Sequence, residues 1–291
     1  MPSPPADRRQ AAPGARTASL TALAMVAFAA NSVLCRMALA PDAIDAASFT
    51  SLRLAAGAAV LAALAAPRWK VSGWYAADGW AVAALFAYMV LFSFAYRSLS
   101  AGTGALVLFG AVQLTMFAAA LAAGERLDRL ATLGLAAAAG GLVYLVLPGL
   151  AAPDPLGATL MAGAGAAWGL YSLRGRGAAD PLRATATNFL LALPAALVLS
   201  LLTAPAAHVT PRGAALAVAS GALASGLGYV VWFAALRGLT ASGAATVQLS
   251  VPVIAAAGGV LLLSEALSPR LVVSGALVLG GIALVLRRRP R

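Results

Sequence analysis

The residues of this sequence best suited to holding a solute are polar or aromatic side chains set inside long apolar runs: Asn31, Arg53, Tyr88, Gln113, Trp168, Tyr171, Tyr229, Trp232 and Gln248. The glutamines and Asn31 offer donors and acceptors without the cost of burying a charge. The aromatic rings suit an apolar group on a solute. Trp168 and Tyr171, three apart, share one helix face. Arg53 admits two readings, because a cation in an apolar span is costly unless paired or wetted. It either snorkels to the nearby interface or faces a cavity and meets a carboxylate. Asn31 is as suited to an interhelical hydrogen bond as to ligand contact. Pro252, four residues after Gln248, removes a backbone hydrogen bond and frees a carbonyl, which fits a hinge, a binding contact or a packing kink. Pro194 carries the same ambiguity. Glu125 and Glu265 stand at the ends of apolar runs, with Arg126 and Arg129 or Arg270 nearby, and are expected to serve as structural ion pairs or helix-end caps.

Other chemistry finds no residues. The chain has one Cys, Cys35, and one His, His208, so a zinc set is excluded. There is no G-x-x-x-x-G-K-[ST] phosphate loop. No metal, cofactor or nucleotide is expected. Asp7, Asp42, Asp45, Asp78, Glu125, Asp128, Asp154, Asp180 and Glu265 all fall at the edges of apolar runs or outside them. A carrier of organic cations, or one with a carboxylate proton relay, would need an acid mid-membrane. A neutral, zwitterionic or anionic solute fits better.

The elements that position these residues follow from composition. The 291 residues are 62% hydrophobic and 10% charged, with a mean hydropathy of +0.90. Soluble domains are about 45–50% apolar and about 25% charged. An all-α, polytopic integral membrane protein remains. Ten windows reach the roughly 20 apolar residues a crossing requires: 17–35, 46–66, 77–97, 101–123, 130–148, 156–174, 183–203, 212–236, 241–264 and 269–287. The first reads as a retained signal anchor. With the N-terminus inside, 15 Lys and Arg fall on cytoplasmic segments and 4 outside. That bias places both termini in the cytoplasm of a bacterial-type inner membrane. The net charge of +11 therefore reflects orientation in the bilayer and not nucleic acid. Trp69, Trp74, Tyr75 and Trp80 fit an interfacial belt.

The sequence also matches itself at a shift of 140 residues. Arg97 falls on Arg237, Leu99 on Leu239, Glu125 on Glu265, Leu127 on Leu267, and Gly140-Gly141 on Gly280-Gly281, without a gap. The unit is about five spans, an odd number, so the copies enter the membrane in opposite senses around an in-plane pseudo-two-fold axis. The expected organisation is a polar tail (1–16), a first repeat (17–148), a linker (149–155), a second repeat (156–287) and a basic tail (288–291).

The segments FAANSVLCRMAL from Phe28, SFTSLRLAAGAA from Ser48, GERLDRLATLG from Gly124, and ASGAATVQLSVPVIAAAGGVLLLSEALSPRLVVSGALVLGGIAL from Ala241 resemble the EamA-type ten-helix carriers of the drug/metabolite transporter superfamily. Two positions depart from the pattern: Phe28 stands where the family often has Trp, and Val112 is opposite Pro252. The resemblance implies a secondary carrier working by alternating access around a central cavity, and it includes branches similar to aromatic amino-acid exporters. The expected partners are the lipid bilayer and a small solute, an amino acid or similar zwitterion. Two alternatives stay open. A sugar-phosphate or nucleotide-sugar carrier would want two or more cations facing the cavity. A polytopic enzyme on lipid-linked substrates would want a cluster of acids, His or Ser/Lys at the membrane surface.

Overall fold

The computed structural model describes residues 14–73, 75–124, 128–149, 152–175, 178–239 and 241–286. Its helices fall in the ten expected windows: α1 (Ala15–Leu39), α2 (Ala46–Ser72), α3 (Gly79–Ala95), α4 (Ala101–Ala122), α5 (Arg129–Val146), α6 (Pro155–Gly175) and α7 (Pro181–Leu202) come first. Next, α8 (Pro211–Ala219), a π-helical segment (Ser220–Leu227) and α9 (Gly228–Leu236) run on as one rod. Then α10 (Ala241–Gln248) and α11 (Ser250–Leu263) are parted only at Leu249, and α12 (Pro269–Leu286) closes the series. Among the described residues there is no strand, only an isolated antiparallel bridge between Ile44 and Val209.

Eight of these rods are long and apolar enough to cross a membrane, fewer than the ten anticipated. The two short of that mark are α3, apolar but 17 residues long, and α6, whose 21 residues include Gly165, Trp168, Gly169, Tyr171 and Ser172. These two pack against each other, and both carry aromatic candidates for the site.

The acidic residues mostly start helices. Asp45 accepts from the Ala47 and Ser48 amides, Asp78 from Trp80, Asp128 from Ala131, Asp154 from Gly157 and Asp180 from Arg183. The first amides of a helix lack intrahelical acceptors, and a carboxylate there also meets the positive end of the helix dipole. Ser100, Thr210 and Ser268 do the same for α4, α8 and α12. Thus the scarce acids sit at helix ends, and the apolar interior stays free of them.

Glycines at the helix interfaces set the approach. A Cβ on Gly134 would lie 2.5 Å from the Gly281 carbonyl, and one on Gly281 would strike the Gly134 carbonyl. A Cβ on Gly141 would lie 2.8 Å from Leu277 Cβ and 3.1 Å from the Ser274 carbonyl. Since 134 pairs with 281 and 141 with 274, α5 and α12 are antiparallel. The two contacts also exchange under the 140-residue shift. The same reciprocity joins Ser98 with Gly157 and Thr17 with Gly238. Among equivalents in the second pair of helices, α2 and α7 are antiparallel as well: Ser51 meets Ser200 and the Ala196 carbonyl, while Gly57 faces Phe189. Equivalent helices thus run in opposite senses and pack across the centre.

At the end of the bundle that holds Arg36, the loop after α1 is strapped to the loop before α8. Asp45 N donates to the His208 carbonyl (2.9 Å), and Thr210 N and Oγ1 donate to the Ala43 carbonyl (3.0 and 2.7 Å). The Asp45 carboxylate also accepts from His208 N (2.9 Å). At the Arg68 end the corresponding join is ionic: Arg68 to Asp180 at 2.8 Å and Arg174 to Asp78 at 3.4 Å. Partial burial pushes the Asp45 carboxyl up, but the amides of Ser48, His208 and Ala47 outweigh it and hold the group below its ordinary value.

A lowered carboxyl contributes stability above its unfolded pKa and loses it as pH falls through the folded value. Asp45→Asn is expected to lower the midpoint of thermal unfolding in detergent at pH 7, with the gap to wild type closing below about pH 4. A gap unchanged between pH 7 and pH 3 contradicts this. At the α5–α12 contact, Gly281→Leu is expected to cost about 1–3 kcal/mol or more. Gly280→Leu, where nothing lies within 4 Å of the added Cβ, serves as the near-neutral control in the same denaturation series.

Candidate functional site

Between the two halves, α1, α3, α4, α6, the π segment, α9 and α10 line a cavity of about 30 Å³. That is room for about two waters at roughly 10–15 Å³ each. Its walls are Phe28, Asn31 and Ser32 from α1, Tyr88 and Phe92 from α3, Leu108 and Phe109 from α4, and Trp168 from α6. Ala224, Ser225, Tyr229 and Gln248 complete them. Aromatic rings fill most of the space. Phe28 meets Trp232 (5.8 Å between centroids) and Tyr229 (5.9 Å). Tyr229 stacks on Trp168 at 5.4 Å and 18°, Trp168 meets Tyr88 at 4.8 Å, and Tyr88 meets Phe92 at 5.4 Å.

Five of the residues singled out from sequence line this cavity: Asn31, Tyr88, Trp168, Tyr229 and Gln248. Tyr171 stands behind Trp168 (5.3 Å), and Trp232 stands behind Phe28. Gln113 is buried in α4 and is not among the lining residues.

Arg53 does not snorkel. It is 0% exposed, and Nη2 donates to Tyr88 Oη at 3.1 Å. Its guanidinium carbon lies 4.8 Å from the Phe92 ring centre and 5.4 Å from that of Tyr88. Nε and Nη1 are buried without partners. Desolvating an ion costs several kcal/mol. One charge-assisted hydrogen bond returns about 1.5–3 kcal/mol, and cation–π contacts add up to about 2 kcal/mol when desolvated. The cation is therefore held with donor capacity left over. The π segment makes this placement possible by passing backbone to backbone against α2: any Cβ on Gly221 would strike the Arg53 carbonyl. π turns inside α-helices recur at functional sites.

Polar atoms around Tyr88 form a chain. Ser220 Oγ donates to Asn31 Oδ1 (2.6 Å), and Asn31 Nδ2 donates to Tyr88 Oη (3.4 Å). Ser225 Oγ is buried in the cavity wall without a partner. Gln248 ends α10, its Nε2 donating to the Ala244 carbonyl (3.2 Å). Pro252 cannot donate to the Gln248 carbonyl four residues earlier, and the helix parts at Leu249 between them. By contrast, α7 runs through Pro194 without interruption.

Comparison with known proteins gives this geometry a family. The EamA-like transporter family matches residues 155–287. An uncharacterised protein of Pseudomonas aeruginosa is 55% identical over 278 residues, covering 95% of this chain and 96% of that protein. A probable terminal-alkyne amino-acid exporter of Streptantibioticus cattleyicolor is 31% identical over 216 residues, 69% of each chain. The chain belongs to the EamA-like transporter family. One solved crystal structure shares the fold, with a TM-score of 0.64 and 23% identity over 92% of this chain and 98% of that one. The protein is thus a multi-pass membrane transporter of the drug/metabolite superfamily.

In this EamA-family chain Glu265 bridges helices at the Arg36 end. Its Oε1 pairs with Arg36 Nε (3.1 Å), and its Oε2 accepts from Ala101 N, the start of α4 (2.8 Å). Arg36 Nη1 also donates to the Tyr96 and Arg97 carbonyls (3.1 Å each). One carboxylate therefore joins α1, the α3–α4 turn and the end of α11. Arg270, the basic residue near Glu265 in sequence, instead donates to the Leu147 carbonyl and lies over the Tyr144 ring (5.6 Å). Glu125 lies outside the described residues, as does Arg176, the position onto which the 140-residue shift carries Arg36. Sequence reasoning passed over Ser225 in the cavity wall and over Phe92, which sets the floor beneath Arg53. Their unbroken apolar context gave no signal.

Cys35, the chain's one cysteine, is 0% exposed and adjoins Arg36, so it reports on this bridge. Glu265→Gln is expected to speed maleimide labelling of Cys35 in the detergent-solubilised protein at least about tenfold, the change given by about 1.4 kcal/mol. Unchanged labelling shows that the burial of Cys35 does not depend on the charge pair.

Proposed function

We propose that this transporter exports small amino acids with aromatic or hydrophobic side chains across a bacterial-type inner membrane, both termini lying in the cytoplasm. The halves 17–148 and 156–287 rock about the central cavity, which opens to one side and then the other. The observation that carries this reading is the cavity wall. Rings of Phe28, Tyr88, Trp168 and Tyr229 face hydrogen-bonding groups of Asn31, Ser225 and Gln248. No carboxylate is among the lining residues. At about 30 Å³ the cavity is too small for an amino acid as it stands. Entry of a solute requires the rings to part. The break at Leu249 and the π segment place conformational slack on helices that supply Gln248, Ser225 and Tyr229 to the wall. The S. cattleyicolor relative's description as a probable terminal-alkyne amino-acid exporter agrees with a solute of this size and kind.

A sugar-phosphate carrier has less support. Arg53 is the one buried cation among the described residues, and a dianionic headgroup would call for more.

Purified protein in liposomes is expected to move labelled phenylalanine or tryptophan, and Trp168→Ala is expected to lower the initial rate at least about tenfold, as loss of an aromatic contact worth about 1.5 kcal/mol would. If neither amino acid moves above the rate of empty liposomes, the amino-acid reading is wrong.

A further inference from the structure

The solute's two charged groups meet very different surroundings in this cavity. We infer that the site reads a carboxylate together with an aromatic or apolar body and does not require an ammonium. Its solutes then include aryl carboxylates lacking an amino group and exclude the corresponding amines. This rests on the reading of the central cavity as the transport site.

A guanidinium can only donate, so Tyr88 Oη accepts from Arg53 Nη2 (3.1 Å). It also accepts from Asn31 Nδ2 (3.4 Å). A phenol has two acceptor positions and one proton to give. With both acceptor positions taken, the Tyr88 O–H is left to donate, and Tyr88 lines the cavity. Arg53 behind it polarises that O–H toward an anion. Ser225 Oγ, buried and without a partner in the same wall, supplies a second donor.

An ammonium would find ring faces and the Gln248 amide oxygen in this wall, but no carboxylate among its lining residues. Each acidic residue among the described ones lies at a helix end or in a loop: Asp42, Asp45, Asp78, Asp128, Asp154, Asp180 and Glu265. The buried charge nearest the cavity is positive and has no counter-anion, with Nε and Nη1 unpartnered. An amine lacking a carboxylate would bring a second cation beside it in a low-dielectric interior, where repulsion is strong. A carboxylate instead completes the pairing of a charge the fold already holds. Arg53 is here a positioning residue acting through Tyr88.

The test uses the full chain in nanodiscs, with binding read by calorimetry for 3-phenylpropanoate, 3-phenylpropanamide and phenethylamine. The acid is expected to bind about ten- to a hundredfold more tightly than the amide, the range for one charge-assisted hydrogen bond, and phenethylamine more weakly than either. Equal affinity for acid and amide, tighter binding of the amine, or no binding of the acid overturns the inference. Tyr88→Phe is expected to bring the acid-to-amide ratio close to one, and Arg53→Met to do the same, while Arg53→Lys keeps most of it. A loss that lowers acid and amide alike is a structural effect and counts against the assignment. Phenylalanine transport in liposomes separates the two readings. Binding of the acid without phenylalanine transport removes the amino-acid function and leaves this inference standing. Phenylalanine transport without binding of the acid does the reverse.

Discussion

A guanidinium with no exposed atom and, among the described residues, no carboxylate paired to it is the constraint around which the centre of this bundle is arranged. Arg53 enters on α2 and its side chain is met by α3. Faces of Phe92 and Tyr88 on α3 shield it, and the Tyr88 hydroxyl takes one of its donors. Through Tyr88 the charge is tied to Asn31 on α1 and onward to Ser220, the first residue of the π segment. Gly221, the next residue, is what lets that segment lie on the backbone of Arg53 itself. A side chain at Gly221 would push the π segment away from α2 and so disturb both Ser220 and the cavity wall at Ser225. The polar network and the close backbone contact thus depend on each other.

The two halves share a plan and differ where it matters. Reciprocal contacts such as Gly134 with Gly281 and Gly141 with Ser274 show the plan. The irregularities belong to the second half. Pro252 falls opposite Val112, and accordingly α4 runs unbroken from Ala101 to Ala122 while its counterpart parts at Leu249. The π segment interrupts the Pro211–Leu236 rod, whereas α3, its counterpart, is regular. The loops diverge too: backbone hydrogen bonds strap the Arg36 end, and exposed ion pairs join the Arg68 end. Exposed pairs are weak and screened by salt. An axis relating the halves therefore relates elements of unequal stiffness, and the two ends need not open with equal ease.

What was legible in the sequence depended on the range of the interaction. Helix positions follow from local hydropathy, and the acids that cap them stand beside the helices they start. Asn31, Tyr88, Trp168, Tyr229 and Gln248 were legible because a polar or aromatic residue in an apolar run needs a reason. The orientation of Arg53 was not, since seven residues into α2 it lies within reach of both interface and core. The difference is made by Tyr88 and Phe92, on another helix. The partner of Glu265 could not be read for the same reason: Arg270 is near in sequence, but Arg36, 229 residues away, is near in space. Gln113 stands five positions from the repeat equivalent of Gln248, and on a helix that is a different face; the cavity takes one and not the other.

The small volume of the cavity bears on how selectivity arises. With stacked rings occupying the centre, a solute gains room only by displacing ring from ring, and Tyr229 on Trp168 is the flattest of these contacts. An aromatic or large apolar solute can replace the contacts it breaks with similar ones of its own. A small polar solute cannot, and would leave apolar faces uncovered or wet. Ring exchange of this kind favours aromatic bodies without a fitted pocket existing beforehand. The donors at Tyr88 and Ser225 are instead tied to α2, Tyr88 through its hydrogen bond from Arg53 and the π segment of Ser225 through the Gly221 contact. Selection by body shape thus resides in the rings that part, and selection by charge in the buried cation behind them.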